Sequence, residues 1–318
     1  MKIETREERD KLLKMSFEDK LAWTNQTIKD TLAVAKRPIV QFSGGADSCV
    51  LAWLIHKIDP TVKMVFHDWG LFLPRTKEFA IEFFEKYNID YMITSSGYDY
   101  KSFLKTNGLP LFKGFKWLSR EKLKKYNITE DCRKLKNYCW SKTKKEFKPD
   151  YYFIGITADE SPQRMAIFKT HGVYQKKSGK LMQVKPIVLF TKDEVFKILK
   201  ENDVLWEKVS YEYEFMGKMI NWHENCSEKK KEYGCFYSDL ECFMCLTRFN
   251  TKGWGRFGRL ARTHPKEFIE VMDMGIKGAM EQIIADYPTK TKYVKDFLDT
   301  YYYKTKKEAT DDQQEIKL

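Results

Sequence analysis

The sequence predicts an α/β fold: a parallel sheet with helices on both faces, preceded by an N-terminal helical segment and followed by a helical, cysteine-rich C-terminal region. Three observations carry this. Short apolar runs of strand type alternate with helical stretches between about residues 37 and 204. The first 36 residues keep helical spacing throughout. Past about Leu205 the strand signals stop and four cysteines follow. The resulting division is 1–36, 37–204 and 205–318, with a basic insertion at 97–149.

The elements follow in order. Leu12, Leu13, Met15, Phe17, Leu21, Trp23, Ile28, Leu32 and Val34 recur at helical spacing, and Ser16 is a candidate N-cap. Pro38 ends that segment, and residues 38–42 read as a short buried strand. Ser43-Gly44-Gly45 is a turn, and 46–58 is a helix. Strands at 62–67 and 90–94 flank a helix at 74–87, whose Pro74 sits at a tolerated first-turn position. A fourth strand is expected at 151–156 and a capped helix at 191–202. Further helical stretches are expected near 256–262, 266–272 and 277–286, and the tail from Lys304 is polar and frayed.

Composition narrows the class. An apolar fraction of 42% with 15% aromatics excludes wholesale disorder. No apolar run approaches the roughly 20 residues of a membrane span, and the opening MKIETREERD lacks the apolar stretch of a signal peptide. Seven Cys is an odd count in a chain too long to need disulfide staples. That points to the cytoplasm, with thiols kept for chemistry or metal. The formal charge is +12, and a net +10 of it falls between Gly97 and Pro149, interleaved with ten aromatics. Lys122, Lys124, Lys125, Lys142, Lys144 and Lys145 are candidates for nucleic-acid phosphates, with aromatics to stack unpaired bases. The plainer alternative is a solvated helical face over core aromatics.

The sharpest local signal is Ser43-Gly44-Gly45-Ala46-Asp47-Ser48 between a strand and a helix. Two glycines let the backbone turn tightly and approach an anion. The unpaired N–H groups at the helix start, at the positive end of its dipole, favour phosphate. Ser43 and Ser48 add hydroxyls, and Asp47 either caps the helix or reaches a phosphate-bound cation. The pattern is neither Gly-x4-Gly-Lys-Ser/Thr nor Gly-x-Gly-x-x-Gly. A tight turn with a capping Asp is the purely structural alternative.

Cys226, Cys235, Cys242 and Cys245 follow Cys-x8-Cys-x6-Cys-x2-Cys. Four thiolates suit an iron–sulfur cluster or zinc, and unliganded thiols are the remaining alternative. His223 is a substitute fourth ligand if one Cys is spare. Cys49 reads as core. Cys132 and Cys139 are seven apart and so share a helix face, either as packing or as a sulfur-carrying thiol.

The hexapeptide resembles the pyrophosphate-binding loop, Ser-Gly-Gly-x-Asp-Ser, of the PP-loop adenine nucleotide alpha-hydrolase superfamily. Val65-Phe66-His67-Asp68-Trp69-Gly70 before Pro74 resembles the second-strand segment of its phosphoadenosine phosphosulfate (PAPS) reductase branch. Cys132 to Lys136, Ile154 to Arg164 and Lys185-Pro186-Ile187 before Thr191 resemble further segments of that branch, in the same order. The chain departs from them at Thr157, where Arg is usual, at Cys139, where Pro is usual, and at Ala46, where several relatives have Lys. The four-cysteine spacing is similar to that of the DNA phosphorothioation subunit, which carries a [4Fe–4S] cluster. Arg256-Phe257…Leu260 and His264-Pro265-Lys266 resemble phage and prophage members.

The resemblance implies a Rossmann-like PP-loop fold that binds ATP and Mg2+. Ser43, Gly44, Gly45, Ala46, Asp47 and Ser48 would hold the pyrophosphate, with Gly155 and Asp68 beside the nucleotide. Asp47, Asp68 and Arg164 would carry catalysis, and Asp159 and Glu160 would bind cation or cap a helix. Cys226, Cys235, Cys242 and Cys245 would ligate [4Fe–4S] or Zn2+. The implied activity is ATP pyrophosphatase chemistry, adenylating a substrate for sulfur transfer such as DNA phosphorothioation. DNA or tRNA, and a cysteine desulfurase or other sulfur donor, are the expected partners. A sulfonucleotide reductase is an alternative, weakened because the last Cys, Cys245, lies far from the end of the sequence. A non-catalytic subunit of a phage or defence complex is the other.

Overall fold

The structure is a computed structural model that describes residues 5–72, 74–110, 117–130, 133–177, 179, 181–215, 218–233, 260–261 and 264–308. Its ordered elements begin α1 (Arg6–Leu12), α2 (Phe17–Val34), β1 (Pro38–Phe42), α3 (Ala46–Ile58), β2 (Lys63–Asp68), α4 (Pro74–Lys86) and β3 (Tyr91–Ser95). Next come α5 (Tyr100–Asn107), β4 (Leu109–Pro110), α6 (Arg120–Lys125), β5 (Ile128–Glu130), α7 (Arg133–Phe147) and β6 (Tyr151–Ile154). Then follow α8 (Pro162–His171), β7 (Tyr174–Lys176), β8 (Met182–Val184), α9 (Lys192–Glu201), β9 (Glu212–Phe215), β10 (Lys218–Asn221) and α10 (Cys226–Tyr233). Helices Pro265–Val271, Lys277–Asp286 and Lys292–Phe297 come later in the chain.

The chain forms two compact units, one of Met1–Asp68, Pro74–Thr94 and Tyr138–Glu241, the other of Trp69–Leu73, Ser95–Asn137 and Cys242–Leu318. The basic stretch 97–149 therefore contributes residues to both.

The first unit carries a six-stranded, mostly parallel sheet of order β3-β2-β1-β6-β8-β7, with helices on both faces. β1 pairs parallel with β2 and β6, β6 with β8, and only the β7–β8 pair is antiparallel. The central strands are nearly continuous apolar runs, as burial on both faces demands: Ile39, Val40, Met64, Val65 and Phe153 are all fully enclosed. α3 is buried all round from Ala46 to Ala52 and apolar from Cys49 to Leu54, so it is an interior helix whose buried polar residues, Asp47 and Ser48, sit at its loop end. Asp150 fixes where the two central strands begin. Its carboxylate accepts the Lys36 and Arg37 amides at 2.8 Å each and the Tyr151 amide at 3.0 Å.

Two expectations need correcting. The N-terminal segment is two helices rather than one, because the chain stops at Leu12 and restarts at Ser16, whose hydroxyl accepts the Asp19 amide at 3.1 Å. Strand structure also continues past Leu205: β9 and β10 form an antiparallel ladder running from Glu212↔Asn221 to Phe215↔Lys218. Each of these strands is only four residues long: Glu212-Tyr213-Glu214-Phe215 alternates polar with aromatic and Ile220 is buried beside the exposed Met219, but neither holds the longer apolar run that marks a strand by itself.

The second unit packs α5, α6, β4, β5 and the late helices around Phe103, Leu123, Phe268, Met272, Met280, Phe297 and Tyr302. Residues 266–272 and 277–286 are helical largely as expected. Only 260–261 of the 256–262 stretch lie among the described residues.

Candidate nucleotide site

β1 leads to β2 on one side and neighbours β6 on the other, so the strand order reverses between β1 and β6. In an open parallel sheet the ligand crevice lies at such a switch point, beyond the carboxyl ends of the strands. Register places Gln41 opposite Ile154 and Phe42 opposite Phe66. Residues 43–48, Asp68 and Gly155 therefore emerge together at that edge.

The loop is closed by its own side chains. Gly44 takes φ +81°, a conformation that excludes most side chains. The Ser48 hydroxyl accepts the Ser43 amide at 3.3 Å and the Ser43 hydroxyl at 3.2 Å, and donates to the Gly45 carbonyl at 2.8 Å. The Ala46 amide donates to the Tyr211 hydroxyl at 2.8 Å. Gly155 comes so close that a Cβ there would lie 2.8 Å from the backbone of Asp47 and Ser48. The β6 tip thus rests directly on the start of α3.

Asp47 does not cap α3, which has no side-chain cap. Its carboxylate instead meets Lys192 Nζ at 2.5 Å, with both side chains at or below a tenth exposed. Burial alone would push the Lys192 ammonium down. Asp47, with Glu160 and Tyr211, reverses that and holds it above the ordinary lysine value. The pair is net neutral, so an arriving phosphate meets the α3 N-terminus without an uncompensated carboxylate.

The first turn of α9 is tied to the loop, to α10 and to α2. Thr191 and Glu194 form a capping box at the start of α9. Lys192 reaches the loop. The Asp193 carboxylate accepts the Cys226 amide at 2.5 Å and the Ser227 amide at 3.1 Å. Glu194 also holds Lys20 of α2 at 2.8 Å.

The remaining candidates are partnered. Asp68 meets Lys77 Nζ at 3.1 Å, and its carbonyl accepts the Cys139 thiol at 3.6 Å. Arg164 pairs with Glu160 one helical turn away, and Asp159 lies 3.7 Å from Lys230 Nζ. Thr157 is fully buried, and its hydroxyl has no partner among the described residues. Cys49 is fully enclosed, and burial raises its thiol well above the usual value. Cys139 is enclosed as well, and burial, with Asp68 nearby, pushes its thiol up to about 11. That is the opposite of the depressed pKa a sulfur carrier needs. His223 spends Nε2 on Glu212 at 2.7 Å.

The donor set suits a phosphate chain: two serine hydroxyls, a helix N-terminus and a buried ammonium. No group of three candidate ligands for a divalent cation exists among the described residues. Asp47 and Asp68 are each paired with a lysine. Of the four clustered cysteines only Cys226, buried at the start of α10, is described; Cys235, Cys242, Cys245 and also Cys132 lie outside the described residues.

The phosphoadenosine phosphosulfate reductase domain matches residues 37–245, about two thirds of the sequence. The chain belongs to that family. Among its relatives, an uncharacterized protein of Methanocaldococcus jannaschii is 23% identical over 73% of this chain and 46% of its own length. The phosphoadenosine 5'-phosphosulfate reductase of Alteromonas mediterranea is 24% identical over 63% of this chain and 73% of its own. The chain thus spans about half the length of the first relative. Solved structures that align include the PAPS reductase of Candida auris, at 16% identity and TM-score 0.44 over 70% of this chain and 97% of that one. The U34-tRNA thiolase NcsA of Methanococcus maripaludis, with its [4Fe–4S] cluster, aligns at 20% identity and TM-score 0.41 over 68% of this chain and 75% of that one. No helix among the described residues is long and apolar enough to cross a membrane.

The six lysines proposed for nucleic acid divide between the two units of this PAPS reductase-family chain. In the first, Lys142, Lys144 and Lys145 lie exposed on α7, with Lys144 over Trp140. In the second, Lys122, Lys124 and Lys125 line α6, and Asp286 neutralises Lys125 at 2.7 Å. Lys122 lies over Tyr287, which meets the exposed Trp117 edge-on at 5.0 Å, and Lys290 lies over Trp117.

Sequence reasoning missed Lys192 and Tyr211. The capping signal around Thr191 marked the helix correctly but gave no reason to aim its first residue at a loop 145 positions earlier. Tyr211 lies past Leu205, where no strand or helix signal marks it.

Proposed function

We propose that this family member is a PP-loop ATP pyrophosphatase that adenylates an acceptor for sulfur transfer, with nucleic acid as the acceptor. The observation that carries the reading is the buried Lys192–Asp47 pair at the N-terminus of α3. Attack on the α-phosphate builds negative charge on its oxygens and on the departing pyrophosphate. An ammonium fixed in a water-poor site stabilises that charge without reorganising. In the step itself an acceptor oxygen forms a bond to the α-phosphorus, the bond to the β-phosphate bridge breaks, and pyrophosphate carries away the electron pair. Sulfide-level sulfur from a donor protein would then form a bond to the activated acceptor atom, whose bond to the adenylated oxygen breaks, so that this oxygen and its electron pair leave as AMP. Bound Mg2+ would neutralise phosphate charge. Ser43 and Ser48 would orient the pyrophosphate, and Lys192 would exchange its Asp47 partner for phosphate oxygen. Within the unit that carries the loop, the exposed Lys142, Lys144 and Lys145 of α7 suit a polynucleotide acceptor such as DNA or tRNA.

Membership of a family named for the reductase favours a second reading, thiol-dependent reduction of a sulfonucleotide. One assay set separates them. Incubation with ATP, magnesium and DNA or tRNA should yield AMP and pyrophosphate. Sulfite release from a sulfonucleotide with a thiol donor selects the reductase instead. Nucleotide binding without turnover under every partner combination would leave a non-catalytic binding subunit.

A further inference from the structure

The helix that carries Cys226 is tied to the phosphate loop by a short closed circuit. Lys192 meets Asp47 in the loop. The next residue, Asp193, accepts the first two amides of α10, those of Cys226 and Ser227, at 2.5 and 3.1 Å. From further along α10, Lys230 Nζ donates to the Asp159 carbonyl and lies 3.7 Å from its carboxylate. The circuit closes where the Lys192 amide approaches Asp159 Oδ2 at 3.4 Å. Every link lies within the first unit, and Cys226, Asp47 and Lys192 are all buried.

We infer that Asp193 is a positioning residue that couples occupancy of the nucleotide loop to the placement of Cys226. The inference rests on the phosphate-binding reading of residues 43–48. Its physical basis is covalent adjacency. A ligand that draws Lys192 from Asp47 toward phosphate must act on the first turn of α9, and Asp193 belongs to that turn. The same turn holds α10 by its otherwise unsatisfied N-terminal amides. Because coupling is reciprocal, whatever binds or modifies Cys226 changes nucleotide affinity by the same factor. Cys226 and the loop are then two ends of one device, and Asp193 is the link that can be cut without touching either end.

Amide hydrogen exchange reads the link directly, because the Cys226 and Ser227 amides are the ones Asp193 holds. With ATP binding measured in the same samples, exchange at residues 226–227 should change about fivefold or more on adding nucleotide, while β3 stays unchanged. D193A should abolish that response and leave ATP affinity within a few-fold, and D193N, which keeps an acceptor oxygen, should retain part of it. K192M should speed exchange at 226–227 in the nucleotide-free protein. If ATP does not bind, the nucleotide reading fails, and the K192M comparison alone decides the coupling. Exchange at 226–227 indifferent to bound ATP, a response that survives D193A, or no effect of K192M would each overturn the inference.

Discussion

Lys192 and Asp47 lie 145 residues apart in sequence and 2.5 Å apart in the structure, both buried, at the mouth of the phosphate loop. A buried pair of this kind contributes little net stability when intact but is costly to halve. K192M should therefore destabilise the fold by about 3 kcal/mol, and the double variant D47N/K192M should recover most of it. Neither should regain turnover, which should fall by roughly 100-fold or more. Thermal melts beside an AMP-release assay check both halves. Full activity in K192M would remove Lys192 from the chemistry.

Gly155 tests the loop by contact alone. An added methyl would lie 2.8 Å from the Asp47 backbone, well inside contact distance. G155A should displace the start of α3 and cost about 1–3 kcal/mol. ATP affinity should drop at least tenfold by calorimetry, with circular dichroism unchanged. Wild-type affinity would show that the loop's position does not matter to binding.

Asp150 sets a pH dependence. Burial by itself would raise its pKa, but the amides of Lys36, Arg37 and Tyr151 outweigh that and lower it. A carboxyl depressed in the folded state stabilises the fold above its unfolded pKa, near 4. The contribution disappears as pH falls through the lower folded value. D150N should cost about 1–2 kcal/mol at pH 7 and converge on wild type in strong acid. Urea midpoints at pH 7, 5 and 3.5 measure this; a constant gap across that range would contradict it.

Cys139 should resist alkylation. Its thiol is enclosed and pushed up to about 11, so almost no thiolate exists at pH 8. Iodoacetamide followed by peptide mapping should label it only after denaturation. Native labelling at the rate of a free thiol would return it to consideration as a sulfur carrier.

Anaerobic purification tests whether Cys226, Cys235, Cys242 and Cys245 hold a metal. Iron and sulfide near four each per chain are expected for one [4Fe–4S] cluster, and C226A should lose both. Stoichiometric zinc without iron would show a tetrahedral zinc site instead.

The central sheet was legible because its signals are local. A buried parallel strand is an apolar run, and Ile39 to Phe42 and Met64 to Phe66 announce themselves without reference to anything else. The phosphate loop was legible for the same reason, since two glycines and two serines between a strand and a helix leave few alternatives. β9 and β10 were not, because a short hairpin owes its existence to its partner strand. Lys192 is the sharper case: its neighbours Thr191 and Glu194 spelled out a helix start, and nothing local distinguishes a lysine bound for solvent from one bound for a buried aspartate. Asp47's lysine partner was missed with it, since the local sequence offered Asp47 only a helix cap or a phosphate-bound cation.

The contact between Gly155 and the start of α3 has one further consequence. A glycine-rich turn left to itself samples many shapes, and a ligand would have to freeze one of them. Here the tip of β6 already excludes the others, so the entropy of ordering the loop is lost during folding rather than at binding. Affinity for a phosphate chain should then depend little on loop mobility and strongly on how well the neighbouring strand keeps its place.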